Sequence, residues 1–267
     1  MTRKLPKISV ITPSYNQGKF IQQTIESVLS QNYPNIEYVV MDGGSKDQTI
    51  KILEKYKDKL SWISEKDKGQ SDAINKGLKT TSGEIVAYIN SDDYYIPGSF
   101  LTVGKFFSEN KDAYWLTGKC KIVDEDGLEV RGVVTFYKDL FLKYLRFKNI
   151  LYIVQFISQP ATFWRRELLD QIGFFEERLD YDMDYDYWLK IWQKYKLYYL
   201  DEYLASYRVH NLSKAVVSAK TQFETAYKIT KRYTRSKLIL VLHQMHAKLA
   251  QVIYRKFWIK NEKNTYT

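Results

Sequence analysis

"EIVAYINSDDYY", residues 84–95, sets an apolar run against two adjacent carboxylates. Glu84 to Ile89 reads as a buried strand, bounded by polar residues and rich in β-formers. Asp92 and Asp93 follow at its end. Carboxylates at the end of a buried strand are costly unless a positive group meets them. What that group is decides what the chain does.

Upstream, the same strand-then-polar pattern recurs three times. "KISVIT" (7–12), "IEYVVM" (36–41) and "LSWISE" (60–65) read as strands, and residues 18–31, 47–58 and 71–81 carry the helical period between them. Strands separated by helices of this length form right-handed βαβ units in a parallel α/β sheet. Each strand ends in a polar, turn-rich segment: Pro13 to Asn16, Asp42 to Ser45, Glu65 to Gly69, and Asn90 to Asp93. In a parallel sheet these ends share one edge, and that edge is where ligands bind in open α/β folds. Taken singly, each segment is equally well a capped turn. Four on one edge form a rim, to which Asp92 and Asp93 belong.

The 267 residues suit one large domain or one domain with an extension, and 45% hydrophobic content allows a core. A single cysteine, Cys120, excludes an internal disulfide framework and a multi-cysteine metal site, and a cytoplasmic setting fits. The apolar run before Pro13 is too short for a signal peptide, and no stretch of about 18 apolar residues is present. The net charge of +10 is uneven: residues 208–267 hold 13 Lys/Arg against 2 Asp/Glu, and residues 1–207 hold 28 against 29. A neutral body with a basic tail points to an anionic partner surface. The 23 tyrosines suit a carbohydrate or membrane-interface protein, or simply a Tyr-rich core and surface.

"VITPSYNQGKFIQQTIESVLSQNYPNIEYVVMDGGSKDQT", "SEKDKGQSDAINKG", "YINSDDYY", "QPATFWRRELLDQIGFFEERLDYDMDYDYWLK" and "YRVHNLSKA" together resemble the family 2 glycosyltransferases over residues 7–215. The resemblance implies a GT-A fold and transfer of a sugar, with inversion, from a nucleotide-sugar to an acceptor. It implies a transferase domain over 1–215, with a nucleotide-binding half (1–95), an acceptor-binding half (96–215) and a basic helical tail (216–267). Thr12, Pro13, Tyr15 and Asn16 take the place of the segment that embraces the base and ribose. Asp42 takes that of the carboxylate on the base, for which a UDP-sugar is the expected donor. Asp72 and Ser91 are further nucleotide-side residues, although Asp72 also suits the first turn of a helix.

Asn90-Ser91-Asp92 stands where the family has Asp-x-Asp. Carboxylates approach a diphosphate only through a divalent cation, so the positive group is expected to be Mn2+ or Mg2+. Asn90 replaces the first carboxylate, which leaves Asp92 as the main ligand. His210, in a Tyr-Arg-x-His-x-x-Ser pattern similar to that of related transferases, is the second candidate ligand, and Arg208 or Lys214 could neutralise phosphate. A lone histidine is as often structural.

The cluster Asp180, Asp182, Asp184 and Asp186 is dense enough to raise some of its own pKa values. Asp184 and Trp188 have the spacing of the family's Asp and Trp, with Met183 in place of Glu. Asp184 is therefore the expected general base, and otherwise a helix cap. Gln159, Thr162 and Trp188 are expected on the acceptor side, and Trp164 there or in the core.

Residues 219–258 read as one or two helices with an apolar stripe and basic flanks, and residues 135–157 mix aromatics and lysines in the same way. Both suit the headgroup region of an anionic bilayer, and equally packing on the domain or on a second copy as a homo-oligomer. No nucleic-acid module is present. The expectation is a transferase peripheral on the inner face of the cell membrane, building a surface polysaccharide or lipid-linked oligosaccharide. The alternatives are a sugar-phosphate nucleotidyltransferase, which "TPSYNQGKF" fits poorly for want of a Gly-rich loop, and a non-catalytic nucleotide-sugar or glycan-binding module.

Overall fold

A computed structural model describes residues 4–211, 213 and 219–254; Lys214 and the tail outside 219–254 lie beyond them. The four expected strands are present: β1 (Ile8–Ser14), β2 (Ile36–Asp42), β3 (Ser61–Ser64) and β4 (Ile85–Tyr88), joined by α1 (Ile21–Leu29), α2 (Thr49–Lys55) and α3 (Gln70–Thr80). They pair in parallel in the order β3-β2-β1-β4. Their apolar runs are continuous because helices cover both faces. Along β4, Ile85 and Ala87 point into one buried cluster and Val86 and Tyr88 into the other. Helix α3 lies close on β1: a Cβ on Gly77 would stand 2.6 Å from Ile11 Cγ2, so glycine alone fits there.

The rest of the chain follows β5 (Tyr94–Tyr95) and α4 (Ser99–Glu109), and it extends the sheet in mixed sense. Strand β6 (Trp115–Val123) is followed by α5 (Gly132–Tyr144) and α6 (Lys148–Leu151), then a short 3-10 turn (Gln159–Ala161) and β7 (Thr162–Arg165). Next come α7 (Leu168–Ile172), α8 (Met183–Lys194) and β8 (Tyr198–Arg208). The full order is β3-β2-β1-β4-β7-β6-β8-β5, with β7 antiparallel to both neighbours and β6 parallel to β8. Strands β6 and β8 thus run in the direction of β4. Residues after β8 and residues before β7 come to the same edge as the ends of β1 to β4.

The tail folds as two helices, α9 (Ala219–Tyr233) and α10 (Lys237–Tyr254). They are joined to the body: Ala226 and Ile229 belong to the cluster that holds Trp188 and Leu189. The Thr230 and Tyr185 hydroxyls are 2.9 Å apart. The buried Asp186 carboxylate accepts from Tyr233 Oη (2.8 Å) and pairs with Lys190 and Arg232, which pins α9 to α8.

Candidate active site

Register explains the rim. Ser14 lies opposite Asp42, and Asp42 opposite Ser64, so three strand ends form one row. Asp42 is buried and organises the turn after β2. Its Oδ2 accepts from the Gly44 and Ser45 amides (3.0 and 2.9 Å) and from Ser64 Oγ (2.7 Å), and its Oδ1 from Ser45 Oγ (2.5 Å). One acceptor direction of Oδ1 remains for a ligand donor. Gly44 takes φ +85° there, a conformation glycine adopts without cost. Asn16, at φ 52°, ties the first loop to this turn by accepting from the Lys46 amide (2.8 Å) and donating its own amide to Ser45 Oγ (2.7 Å). Thr12 is buried against Tyr38 Oη (3.0 Å) and Pro13 beside it is buried, whereas Tyr15 is 60% exposed and open to a ligand. Asp72 accepts from the Lys68 amide (3.0 Å) and pairs with Lys76 (3.3 Å), holding the start of α3.

Beyond β4, the carboxylates divide. Asp93 is wholly buried and accepts from the Arg208 amide (2.8 Å) and Asn90 Nδ2 (3.2 Å). Burial, then the neighbouring Asp92, pushes its pKa well above the usual carboxylate range. Its carbonyl and that of Ser91 both accept from Thr24 Oγ1 on α1 (2.6 and 3.0 Å), which fixes the loop. Asn90 Oδ1 accepts from Gln70 Nε2 (2.5 Å), so the residue in the place of the first acid is held by an amide. Asp92 is the outward member. Its Oδ2 stands 3.0 Å from His210 Nε2, after β8. Arg208 beside them is buried, stacked on Phe20 and Tyr94 and bonded to Gln23, so it braces the wall of the site.

The Asp92–His210 spacing suits a cation: adjacent ligands about 2.1 Å from one octahedral ion stand about 3 Å apart. The carboxylate suits Mn2+ or Mg2+, and the imidazole is accepted more readily by Mn2+ than by Mg2+. Among the described residues no third acid, His or Cys joins them in a metal cluster.

The second acidic cluster lies at the start of α8. Asp182 caps it at φ 56°, with Oδ2 buried and unpartnered in the described structure. Burial first, then the Asp184 charge, pushes its carboxyl up to about 8. Asp184, half-buried in the first turn of the helix, accepts from the Tyr185 amide (2.9 Å), and its field reaches Tyr88 at the end of β4. Asp186 faces the body and is structural.

Gln159, expected on the acceptor side, reaches the rim and donates Nε2 to the Tyr88 carbonyl (2.6 Å); its buried Oε1 has no partner among the described residues. Thr162 and Trp188 are placed differently from expectation. Thr162 is fully buried between Thr117 Oγ1 (3.0 Å) and the Ser158 carbonyl (2.9 Å). Trp188 is 1% exposed, its ring packed against Trp115 and Trp164. Thr162 is buried because β7 is an inner strand between β4 and β6, and Trp188 because α8 presents its apolar stripe to the sheet; Trp164 is core with them. Sequence reasoning passed over Gln70 and Lys138, an inward lysine on α5. The signal for Lys138 was its helical phase with Thr135 and Leu142, both buried.

Residues 9–173 match the family model "Glycosyl transferase family 2". An uncharacterised glycosyltransferase of Rickettsia prowazekii is 26% identical over 265 residues, 96% of this chain and 82% of its own length. The putative teichuronic acid biosynthesis glycosyltransferase TuaG of Bacillus subtilis is 34% identical over 131 residues, 48% of this chain and 52% of its own. Among solved structures, residues 1–349 of S. aureus TarS in complex with UDP-GlcNAc superpose with a TM-score of 0.67 at 24% identity, covering 96% of this chain and 77% of that one. The match spans 44% of the longer TarS chain. The mannosyltransferase PcManGT of Pyrobaculum calidifontis, in complex with GDP-Man and Mn2+, gives a TM-score of 0.67 at 17% identity over 95% of this chain and 76% of its own. These structural likenesses bear on the fold. The family match spans the rim from β1 through β7, and with the fold it establishes that this chain belongs to glycosyltransferase family 2, a nucleotide-sugar glycosyltransferase of GT-A architecture.

Proposed function

We propose that the chain transfers a sugar with inversion from a UDP-sugar to a hydroxyl of a glycan or lipid-linked acceptor in surface polysaccharide synthesis. What supports this is the acidic cluster at the start of α8, held against the start of α3 by the Ser71 Oγ to Met183 Sδ contact (2.7 Å), together with the Asp92–His210 pair at the same rim. Thr12, Pro13, Tyr15, Asn16, Asp42, Asp72 and Ser91 form the nucleotide side, and the free direction of Asp42 Oδ1 suits the imide N–H of uracil. TarS, with its bound UDP-GlcNAc, supports the choice of UDP. Asp92 and His210 would hold Mn2+ or Mg2+, which when bound neutralises the leaving diphosphate. Asp184 takes the acceptor proton on the opposite face of the sugar, while Asp182 keeps its own. Gln159 orients the acceptor, and Thr162 and Trp188 support the wall behind it.

The same proposal places the protein on an anionic membrane. Helix α10 has two apolar faces. The inner one, with Ile239, His243 and Ala247, packs on the body, while the outer one leaves Leu238 68%, Met245 62% and Leu249 60% exposed. Helix α5 lies beside it, joined by Tyr137 Oη and His246 Nε2 at 3.0 Å, and adds Phe136, Leu140 and Tyr144 to the exposed surface. Residues 219–254 carry seven Lys/Arg against one Glu. A broad apolar face with basic flanks matches an anionic headgroup region. Among the described residues no helix is long and apolar enough to cross a membrane. The test of the donor side is a thermal-shift screen of nucleotide-sugars with Mn2+. UDP-sugars should raise the melting temperature and GDP-sugars should not; the reverse order rejects UDP.

A further inference from the structure

Lys138 is a charged residue on the wrong side of its helix. On α5, Phe136 and Leu140 face outward, whereas Thr135, Lys138 and Leu142 follow the inward stripe. The Lys138 ammonium is directed at the segment that precedes β7. It has one hydrogen bond, to Ser158 Oγ at 3.3 Å, and no ion pair among the described residues. The adjacent Asp139 turns away and accepts from Tyr203 Oη (3.1 Å). Burial lowers the Lys138 pKa, and the fields of Asp184 and Asp139 oppose that shift. A desolvated ammonium with one neutral partner is costly, and buried charges are ordinarily paired. The side chain retains partial solvent access, so a ligand can complete the pairing.

We propose that Lys138, with Ser158, is an oxyanion-binding site on the acceptor side, taking a phosphate or carboxylate that the acceptor carries close to its reacting hydroxyl. This deepens the proposed function and rests on its assignment of Asp184 as the base. The hydrogen bond to Ser158 locates the site: Ser158 directly precedes Gln159, whose Nε2 donates to the Tyr88 carbonyl at the end of β4, whereas the proposal assigns the donor diphosphate to Asp92 and His210. Lysine binds such groups as a point charge, and the Ser158 hydroxyl supplies a second donor. An anionic acceptor is what cell-surface polymers built on phosphate or uronic acid units would present.

The experiment is calorimetric titration of inorganic phosphate, and separately of acetate, into the full chain saturated with UDP and Mg2+. Saturation removes the donor pocket from competition, and the two anions distinguish the two sources of charge. Wild type should bind at least one anion. Lys138→Met should weaken that binding about 10- to 100-fold, the worth of a charge-assisted hydrogen bond. Lys138→Arg should restore most of it, and UDP affinity should stay unchanged in both variants. Failure of wild type to bind either anion, or equal binding by wild type and Lys138→Met, overturns the proposal. So does a loss of UDP affinity in Lys138→Met, which would place Lys138 on the donor. A wild-type protein that binds no UDP refutes the donor assignment instead, and the anion titrations still read Lys138. The Lys138→Arg arm guards against a variant that merely misfolds.

Discussion

Asp182→Asn isolates the proton held at the start of α8. In the folded chain burial and the Asp184 charge push the Asp182 carboxyl up to about 8, whereas an unfolded aspartate titrates near about 3.9. Between these values the unfolded chain has released the proton and the native chain still holds it. Stability therefore falls as pH rises through that interval and levels off above about 8. The slope for one proton is about 1.4 kcal/mol per pH unit, so from pH 5 to pH 7 this residue withdraws up to about 3 kcal/mol. Asparagine has the shape of the neutral acid, does not titrate, and tolerates the left-handed backbone that Asp182 adopts. The stability of the variant relative to wild type should therefore rise by up to about 3 kcal/mol between pH 5 and pH 7. Urea unfolding at pH 5, 6 and 7, at constant ionic strength, measures both curves. Parallel curves, or a relative stability that falls between pH 5 and pH 7, would refute the assignment of a protonated Asp182.

Asp92→Ala and His210→Ala should each weaken Mn2+-dependent UDP binding by about tenfold or more while metal-free binding changes little; unchanged Mn2+ dependence in both would remove the pair from the metal. Asn90→Asp restores a second carboxylate and should tighten Mn2+ in calorimetry, and unaltered or weaker Mn2+ affinity would show that Gln70 and Asp93 hold this position away from the ion. Removing the tail would also strip α9 from the core, so the membrane face is tested with paired surface changes. Leu238→Asp with Met245→Asp should abolish co-sedimentation with phosphatidylserine vesicles at an unchanged melting temperature, and retained co-sedimentation would place the contact elsewhere.

Much of the nucleotide half was legible because its signals are local. Four apolar runs, each closed by a polar turn, translate directly into β1 to β4 and one shared edge. The second half was less so. Strands β6, β7 and β8 pair across 45 to 85 residues and in mixed sense, and no local pattern in "WLTGKCKIV" (115–123) or "TFWR" (162–165) states which neighbour they take. The approach of His210 to Asp92 depends on β8 running parallel to β6, so spacing alone left its role open. Trp188 illustrates the opposite error: a motif position suggested contact with the acceptor, while its helical phase with Tyr187 and Ile191, both buried, already pointed to the core. Lys138 was hidden because the lysines of 135–157 look alike in composition and differ only in helical phase. The raised pKa of Asp182 is a property of burial, which no string of four alternating aspartates discloses.

The central claim, that a nucleotide-sugar is attacked by an acceptor hydroxyl deprotonated at Asp184, is tested most directly by the transfer rate of Asp184→Asn at saturating donor, with UDP affinity measured on the same preparation. Asparagine keeps the size and the contact with the Tyr185 amide but takes no proton. The account predicts UDP binding within about twofold of wild type and transfer slower by about 100- to 10,000-fold, the ordinary worth of a general base. Near-normal transfer by Asp184→Asn, with the loss appearing in Asp182→Asn instead, would contradict it.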